Sequence, residues 1–278
     1  MPMTTYHGNP TMHSDAVYRS WQLSQAIRGS APLIHNITNL VVQNDTADAV
    51  AALGATQVTL HIPDEAAEAA GLAAALAVNT GTPDPDWVRG ARAALDAAAA
   101  RGTPWVLDPV AVGFTRYRSD IVREFLERGP VVVKANASEI LVLAGETQSG
   151  RAADSIHGVA EASDAASELA RRLHCTVVVS GSEDLITDGK RRVHIANGHP
   201  LLGQMIGSGC MLTAVVGCYL AVADQPFEAA VAAVACFTIA GEIAAERAGG
   251  PGTLKPLLLD ALHTLDENAV RQRLTIRA

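Results

Sequence analysis

Apolar residues are distributed in two patterns along the chain. Short β-branched runs predict buried strands, and longer segments of mixed polarity with a helical period predict helices. The strands are predicted at 32–36, 56–60, 77–81, 104–109, 131–136 and 176–181. The helices are predicted at 40–54, 65–76, 84–102, 137–145, 210–223 and 227–248. Asp84 is expected to cap the helix at 84–102, and Gly102 to end it.

The alternation of strands and helices determines the predicted fold class. It implies parallel strands joined by right-handed crossovers, with helices on both faces of the sheet. The strand segments are apolar throughout, as in a sheet that is buried on both faces. Residues 184–198 instead predict a hairpin that turns at Asp188-Gly189, and residues 146–160 a polar loop. We therefore predict one α/β domain over residues 1–278, with residues 1–14 as a flexible N-terminal segment.

Composition and charge limit the classes of protein to which this chain can belong. Of the 278 residues 49% are hydrophobic and 18% charged, and the formal net charge is −8. These values exclude a mainly disordered chain and argue against binding to nucleic acid or anionic membranes. The N-terminus lacks the features of a secretory signal, and the apolar segment 210–223 is shorter than the ~20 residues of a membrane span. We expect a cytoplasmic protein whose four cysteines are reduced thiols without metal-binding spacing.

A glycine-rich turn, Gly207-Ser208-Gly209, leads directly into an apolar helix that begins at Cys210. The first N–H groups of a helix lack intrahelical partners and carry part of the positive end of the helix dipole. Glycines let a ligand approach this backbone, so the turn predicts a site for a phosphoryl group. The same dipole is expected to lower the pKa of the Cys210 thiol from about 8.5. The alternative is a turn that only caps a core helix, with Cys210 as a small apolar residue.

Polar residues also follow the predicted strands, where ligands bind to sheets of this kind. Asn136 and Glu139 have the spacing of a helix capping box, which the sequence favours, and also that of a pair that holds hydrated Mg²⁺. Asp108 ends a strand, where a carboxylate can face metal or phosphate, or can form a turn before Pro109. Asn39 either caps the following helix or binds a small ligand through its amide.

Seven segments, taken in order, resemble the hydroxyethylthiazole kinase family of the ribokinase-like superfamily. They are PLIHNITNLVVQNDTADAVAALGA, AVNTGT, PWVLDPVAVG, NASEI, VVVSG, IGSGCMLTAVVG and GGPGTLKPLLLDAL. The resemblance extends from about Pro32 to Leu265, which is most of the chain. It implies a three-layer ribokinase-like fold, in which helices cover both faces of a mostly parallel central sheet.

The resemblance also implies an activity. The family transfers the γ-phosphate of ATP, with Mg²⁺, to the hydroxyethyl group of 4-methyl-5-(2-hydroxyethyl)thiazole in thiamine salvage, and it is typically a homotrimer with sites between subunits. A small-molecule kinase is therefore expected. The positions that match the family's functional residues are Cys210 at the catalytic base, Asn39, Thr59 and Gly207 on the acceptor side, Lys134, Ser180 and Gly209 on the ATP side, and Asp108 and Glu139 near the metal.

Several of the matching positions depart from the family pattern. Thr59 replaces an acceptor-contacting methionine, Lys134 replaces an ATP-contacting arginine, and Ile206 replaces a threonine before the glycine turn. Lys134 keeps a positive charge but loses the planar guanidinium, and Thr59 exchanges a flexible thioether for a hydroxyl. Two alternatives follow from these changes: a kinase for a different small alcohol, and a nucleotide- or thiazole-binding homologue without catalytic activity.

Overall fold

The structure is a computed structural model that describes residues 10–145 and 159–278. Its helices are α1 (Pro10–Ser30), α2 (Gln43–Ala52), α3 (Pro63–Leu72), α4 (Pro85–Arg101), α5 (Arg116–Glu127), α6 (Ala137–Ala144), α7 (Val159–Leu173), α8 (Pro200–Gln204), α9 (Ser208–Leu220), α10 (Pro226–Ala245), α11 (Pro251–Thr264) and α12 (Glu267–Arg273). Its strands are β1 (Leu33–Ile37), β2 (Thr56–Val58), β3 (Ala75–Asn79), β4 (Trp105–Asp108), β5 (Val132–Asn136), β6 (Thr176–Ser180), β7 (Asp184–Thr187), β8 (Arg192–Ile195) and β9 (Ile276–Arg277).

All nine of these strands form one sheet, in the order β2-β1-β3-β4-β5-β6-β7-β8-β9. Strands β1 to β6 pair in parallel, and β7, β8 and β9 extend the sheet with antiparallel pairs. The predicted mostly parallel sheet is therefore confirmed. The predicted hairpin is confirmed as β7–β8, and Gly189 in its turn has a φ of 83°.

Helices pack on both faces of the sheet because successive strand residues point to opposite faces. Ala75 and Ala77 of β3 face a core that includes residues of α1, α2 and α9 to α12. Leu76 and Val78 face the opposite core, which is formed with α3, α4 and α5. Helices α6 and α7 form a third core against β5, β6 and β7. The predicted arrangement of three layers is thus confirmed.

Helix α4 begins and ends where the sequence predicts. The Asp84 side chain accepts hydrogen bonds from the backbone N–H groups of Asp86 and Trp87, at 2.8 and 2.9 Å. Gly102 ends the helix with a left-handed φ of 70°, a conformation that glycine adopts without the steric cost of a Cβ.

The predicted helix at 65–76 is too long. Helix α3 ends at Leu72, and Ala73 is extended. Leu76 instead pairs with Trp105 of β4 in the sheet. Alanine has the highest helix propensity, so the alanine-rich sequence favours a helix locally, but pairing with β1 and β4 makes residues 75–79 a strand.

The N-terminal prediction also needs correction. Helix α1 begins at Pro10, so residues 10–14 of the segment predicted to be flexible are helical, and residues 1–9 lie outside the described residues. Val17 and Ile27, which lie farther along α1, are completely buried, so packing stabilises the helix that residues 10–14 begin. The loop predicted at 146–160 lies outside the described residues, except that positions 159 and 160 begin α7.

Two apolar helices, α9 and α10, lie in the core as predicted. Every residue of α9 from Met211 onward is buried. Helix α10 is the one helix in the described ranges whose length and composition would allow it to cross a membrane. Of its most apolar window, 83% is buried inside the protein, as expected for a core helix.

Close packing of α4 gives a test of the fold. A Cβ on Gly90 would lie 1.7 Å from the carbonyl oxygen of His61. We expect Gly90→Ala to lower the free energy of unfolding by at least about 2 kcal/mol, because the helix must move away. Gly71 in α3 has no atom within 4 Å of such a Cβ, so Gly71→Ala should be neutral or stabilising by up to about 1 kcal/mol. Urea denaturation measures both, and equal stability of the two variants would contradict the packing.

Candidate active site

Four strands and one helix bring polar side chains together at the carboxyl edge of the sheet. Asn79 and Asp108 end the neighbouring strands β3 and β4 and pair directly in the sheet. Lys134 lies on the adjacent strand β5, and Asn39 follows the end of β1. Cys210 is in the first turn of α9, which covers this part of the sheet. The carboxyl edge of such a sheet is where ligands bind.

The Asp108 carboxylate is the centre of the cluster and is 1% exposed. Its Oδ2 accepts hydrogen bonds from Asn79 Nδ2 at 2.8 Å and from Thr213 Oγ1 at 2.7 Å. Lys134 Nζ lies 3.5 Å from the same oxygen, and its side chain is 6% exposed. A buried carboxylate requires hydrogen-bond donors and an opposite charge, and this arrangement supplies both.

Cys210 is connected to this carboxylate through two asparagines. Asn39 Nδ2 donates to Cys210 Sγ at 3.5 Å and to Asn79 Oδ1 at 2.8 Å. Asn79 in turn donates to Asp108. The amides therefore fix the orientation of the thiol relative to the buried charge.

Asn79 and Thr213 belong to the site although our sequence analysis did not select them. Asn79 is a polar residue in the apolar run before Thr-Gly, at a strand end. Thr213 is a polar residue one turn into an apolar helix, and it is 1% exposed. In each case a polar side chain in an apolar segment was the signal that could have identified the residue.

The glycine turn has the predicted backbone geometry. Gly207 has a φ of 92°, and a Cβ there would lie 2.6 Å from Val42 Cγ1. Met211 N–H donates to the Gly207 carbonyl at 2.8 Å, so the N–H groups of Gly209 and Cys210 precede the first hydrogen-bonded turn of α9. Such groups bind anions. A Cβ on Gly209 would lie 3.0 Å from Lys134 Nζ, which places the ammonium group beside the same helix terminus.

The predicted low pKa of Cys210 is wrong. Burial raises the pKa of the thiol above its ordinary value, and the Asp108 carboxylate raises it further. Lys134 and hydrogen bonds from Asn79 and Asn39 act in the opposite direction, but they do not outweigh burial. Cys210 is therefore a neutral thiol near pH 7 in the free protein.

Glu139 forms the capping box that the sequence offered as one alternative. Its backbone N–H donates to Asn136 Oδ1, and its Oε2 accepts from the Asn136 backbone N–H, both at 2.9 Å. Its Oε1 accepts from the backbone N–H of Ala111 at 2.8 Å. Burial raises the pKa of Glu139 to about 7, with a further contribution from the Asp108 charge. Glu139 thus joins α6 to the loop that follows Asp108.

The capping role is compatible with a metal near Glu139. After burial, the nearby Asp108 charge is the next cause of the raised pKa of Glu139, and a divalent cation bound between the two carboxylates would oppose both effects. Mg²⁺ binds in such sites through one or two carboxylates together with phosphate oxygens. Among residues 10–145 and 159–278, no group of three or more His, Cys, Asp or Glu side chains could hold a metal. Nucleotide phosphates would therefore have to complete the coordination.

Two of the predicted site residues lie outside the hydrogen-bonded cluster. Ser180 ends β6 opposite Asn136, and its hydroxyl donates to the Ala135 carbonyl at 3.4 Å. Thr59 follows β2 at the edge of the sheet and accepts a hydrogen bond from Gln57 Nε2 at 2.9 Å. Strand β2 is three strands from β4, a separation of about 14 Å.

Comparison with known proteins identifies relatives over most of the chain. Residues 24–268 match the model of the hydroxyethylthiazole kinase family. A hydroxyethylthiazole kinase from Cereibacter sphaeroides is 47% identical over 244 residues, which cover 88% of this chain and 93% of the relative. A hydroxyethylthiazole kinase from Granulibacter bethesdensis is 45% identical over 253 residues, covering 91% and 92% respectively.

Solved structures support the same fold. A hydroxyethylthiazole kinase protein from Pyrococcus horikoshii matches with a TM-score of 0.86 and 39% identity, over 93% of this chain and 98% of its own. Bacillus subtilis pyridoxal kinase, solved as an ADP complex, matches with a TM-score of 0.55 and 17% identity, over 75% of this chain and 90% of its own. The predicted ribokinase-like fold is confirmed.

The raised pKa of Cys210 can be tested by alkylation. We expect iodoacetamide to modify Cys210 slowly at pH 7, and the rate to rise with pH beyond about pH 9, because only the thiolate reacts. Asp108→Asn removes a charge that raises this pKa, so its rate profile should shift to lower pH. Mass spectrometry of tryptic peptides measures the rate, and the buried Cys175, Cys218 and Cys236 serve as internal controls. A rate that levels off below pH 8 would contradict the assignment.

Proposed function

The chain belongs to the hydroxyethylthiazole kinase family, and we propose that it transfers the γ-phosphoryl group of ATP to the hydroxyethyl group of 4-methyl-5-(2-hydroxyethyl)thiazole, a step of thiamine salvage. As a member of this family it is a small-molecule kinase. One observation supports the proposal most directly: the family match over residues 24–268 includes a glycine turn at the start of α9, and this turn lies beside the ammonium group of the buried Asp108–Lys134 pair.

The N-terminus of α9 and Lys134 bind the transferring phosphoryl group. Phosphoryl transfer depends mainly on positioning and on stabilisation of the charge of the equatorial oxygens. Preorganised donors in a buried site stabilise that charge without having to reorganise. The N–H groups of Gly209 and Cys210, together with the Lys134 ammonium group, are such donors. Ser180, at the end of β6, contacts ATP from the neighbouring strand.

Cys210 and Asn39 face the attacking alcohol. The thiol is neutral near pH 7, so it orients the acceptor hydroxyl by hydrogen bonding and is not a strong base before the reaction begins. In the loose transition state of phosphoryl transfer, the alcohol needs little deprotonation before attack. Its proton is lost to water as the new O–P bond forms and the bond to the leaving ADP breaks. Cys210 therefore contributes to catalysis as a contact of the reacting oxygen, next to the N–H groups that bind the phosphoryl group.

Asp108 and Glu139 are the residues that would hold Mg²⁺ together with the phosphates of ATP. A metal bound there would supply positive charge against the phosphate oxygens. Asp108 supplies a carboxylate at the end of β4, and Glu139 holds the loop after β4 in place through the Ala111 N–H.

The protein works in the cytoplasm on small molecules. Its net charge of −8 disfavours nucleic acid and anionic membranes as partners.

The activity is tested with purified protein, ATP, Mg²⁺ and the thiazole alcohol. We expect the mass spectrum of the product to show the acceptor with one added phosphoryl group. Cys210→Ala should lower kcat at least about tenfold, because an acceptor contact in the transition state is lost, and should leave ATP affinity within twofold. Tyr18→Ala, which changes an exposed side chain of α1, is the control. ATP binding without phosphorylation of the acceptor would overturn the function, and an unchanged kcat would remove Cys210 from the mechanism.

The site is completed by a second copy in a homotrimer. Thr59 lies at the edge of the sheet, about 14 Å from the strand of Asp108, and in the trimer it faces the acceptor that is bound beside Cys210 of a neighbouring copy. Large apolar side chains beside the glycine turn and Asn39 are exposed: Ile206 by 75%, Val41 by 65% and Leu40 by 62%. Exposed apolar groups of this kind are typical of surfaces that another molecule covers.

Mixed subunits test the shared site. We expect Cys210→Ala and Thr59→Trp to be nearly inactive alone, because the first loses a catalytic contact and the second blocks the acceptor. Trimers refolded from equal amounts of the two variants should recover about a quarter of wild-type kcat. In a random head-to-tail ring, about one interface in four combines an intact Cys210 with an intact Thr59. Sedimentation measures the oligomer. A mixture that stays inactive, or a monomer with full activity, would contradict the shared site.

A further inference from the structure

The guanidinium group of Arg118, in α5, binds the loops that follow β3 and β4. Its Nη1 donates to the Thr80 carbonyl at 2.6 Å, and its Nη2 donates to the Gly81 carbonyl at 2.7 Å. Nη1 also lies 3.4 Å from the Val110 carbonyl. Thr80 and Gly81 follow Asn79, and Val110 follows Asp108 by two residues. One side chain thus connects the backbones of the two loops that carry central residues of the site.

The contacts of Arg118 are unusual for a charged residue. Within the two described ranges, no carboxylate lies within 4 Å of its guanidinium, and the side chain is partly buried. Burial lowers the pKa of Arg118, although arginine remains charged at neutral pH. Its partners are backbone carbonyls in a forked arrangement, a geometry that the planar guanidinium matches and a lysine ammonium does not.

A continuous series of contacts leads from Arg118 to the reacting groups. The Gly81 N–H donates to Asn79 Oδ1 at 3.0 Å, and the same oxygen accepts from Asn39 Nδ2. A Cβ on Gly81 would lie 2.7 Å from the amide group of Asn39, so the loop and the amide are in close contact. Movement of the Thr80-Gly81 segment therefore displaces Asn79 and Asn39, and with them the partners of Asp108 and Cys210.

The loop after Asp108 is held from two sides. Arg118 lies against the Val110 carbonyl, while Glu139 Oε1 binds the Ala111 N–H at 2.8 Å. Ala111 has a φ of 58°, a conformation that a residue with a Cβ adopts at some cost. Such a backbone persists only where surrounding contacts determine it, and these two side chains provide contacts of that kind.

We propose that Arg118 is a positioning residue for phosphoryl transfer, which fixes Asn79 and Asp108 by binding the backbone of both loops. This proposal rests on the proposed function, because Arg118 affects the rate through the positions of Cys210 and the acceptor. Arg118 does not touch the reacting atoms. A displacement of about 1 Å at a reacting group can lower a rate by about a hundredfold, so loss of this connection lowers kcat more than it lowers substrate affinity.

The test compares Arg118→Lys and Arg118→Ala with Arg123→Ala. Arg123 is on the same helix, 66% exposed, and pairs only with Asp120 among the described residues. We expect both Arg118 variants to lose at least about tenfold in kcat, with KM for ATP changed less than twofold, and Arg123→Ala to match the wild type. Added ethylguanidinium should restore part of the kcat of Arg118→Ala and have no such effect on Arg118→Lys.

A second measurement separates this proposal from the proposed function. Amide hydrogen exchange at Thr80 and Gly81 should be at least about tenfold faster in the Arg118 variants than in wild type or Arg123→Ala. If wild-type protein phosphorylates no thiazole alcohol, the proposed function fails, and unchanged exchange independently rejects the positioning role. Unchanged kcat in Arg118→Lys, or a loss that appears only in thermal stability, also overturns it. Arg118→Lys serves as the folded variant if Arg118→Ala does not fold.

Discussion

The site depends on the burial of one carboxylate, that of Asp108. A buried charge of this kind is stable only when hydrogen-bond donors and an opposite charge replace water. Asn79, Thr213 and Lys134 supply these partners, and they come from β3, α9 and β5. The requirement is therefore met only after the sheet and the covering helix have assembled. The same hydrogen bonds that stabilise Asp108 in the interior also fix the N-terminus of α9 over the strand ends.

A protein with a net charge of −8 binds an anion most readily where the positive charge is local. At this site it comes from the start of α9 and from Lys134, both close to the Asp108 oxygen. Backbone N–H groups supply this positive charge without an accompanying carboxylate, so the local field at the start of α9 opposes that of the acidic surface. The Arg118 guanidinium lies behind the two loops and adds a positive charge that no carboxylate within 4 Å among the described residues neutralises.

Several residues at the site have structural and chemical roles together. Glu139 forms a capping box with Asn136 and also holds the Ala111 N–H, so one carboxylate orders both the start of α6 and the loop that follows Asp108. Gly207 adopts a positive φ and also packs against Val42. A substitution at either residue would alter the backbone and the chemistry at once.

The sequence alone determined strands β1 to β6, helices α2, α3, α4, α6, α9 and α10, the hairpin, and the glycine turn before Cys210, because these follow from local periodicity, capping and turn chemistry. Helices α1, α5 and α7 were not predicted from the sequence. Tertiary structure decided the rest. Pairing with β1 and β4 placed residues 75 and 76, which the alanine-rich sequence predicts as helix, in strand β3, and packing ordered α1. Asn79 and Thr213 joined the site because strand register and helix placement, which are non-local, set their distances to Asp108. The raised pKa of Cys210 was also beyond local inference, since the helix dipole is a local feature, whereas burial and the Asp108 charge arise only in the folded chain.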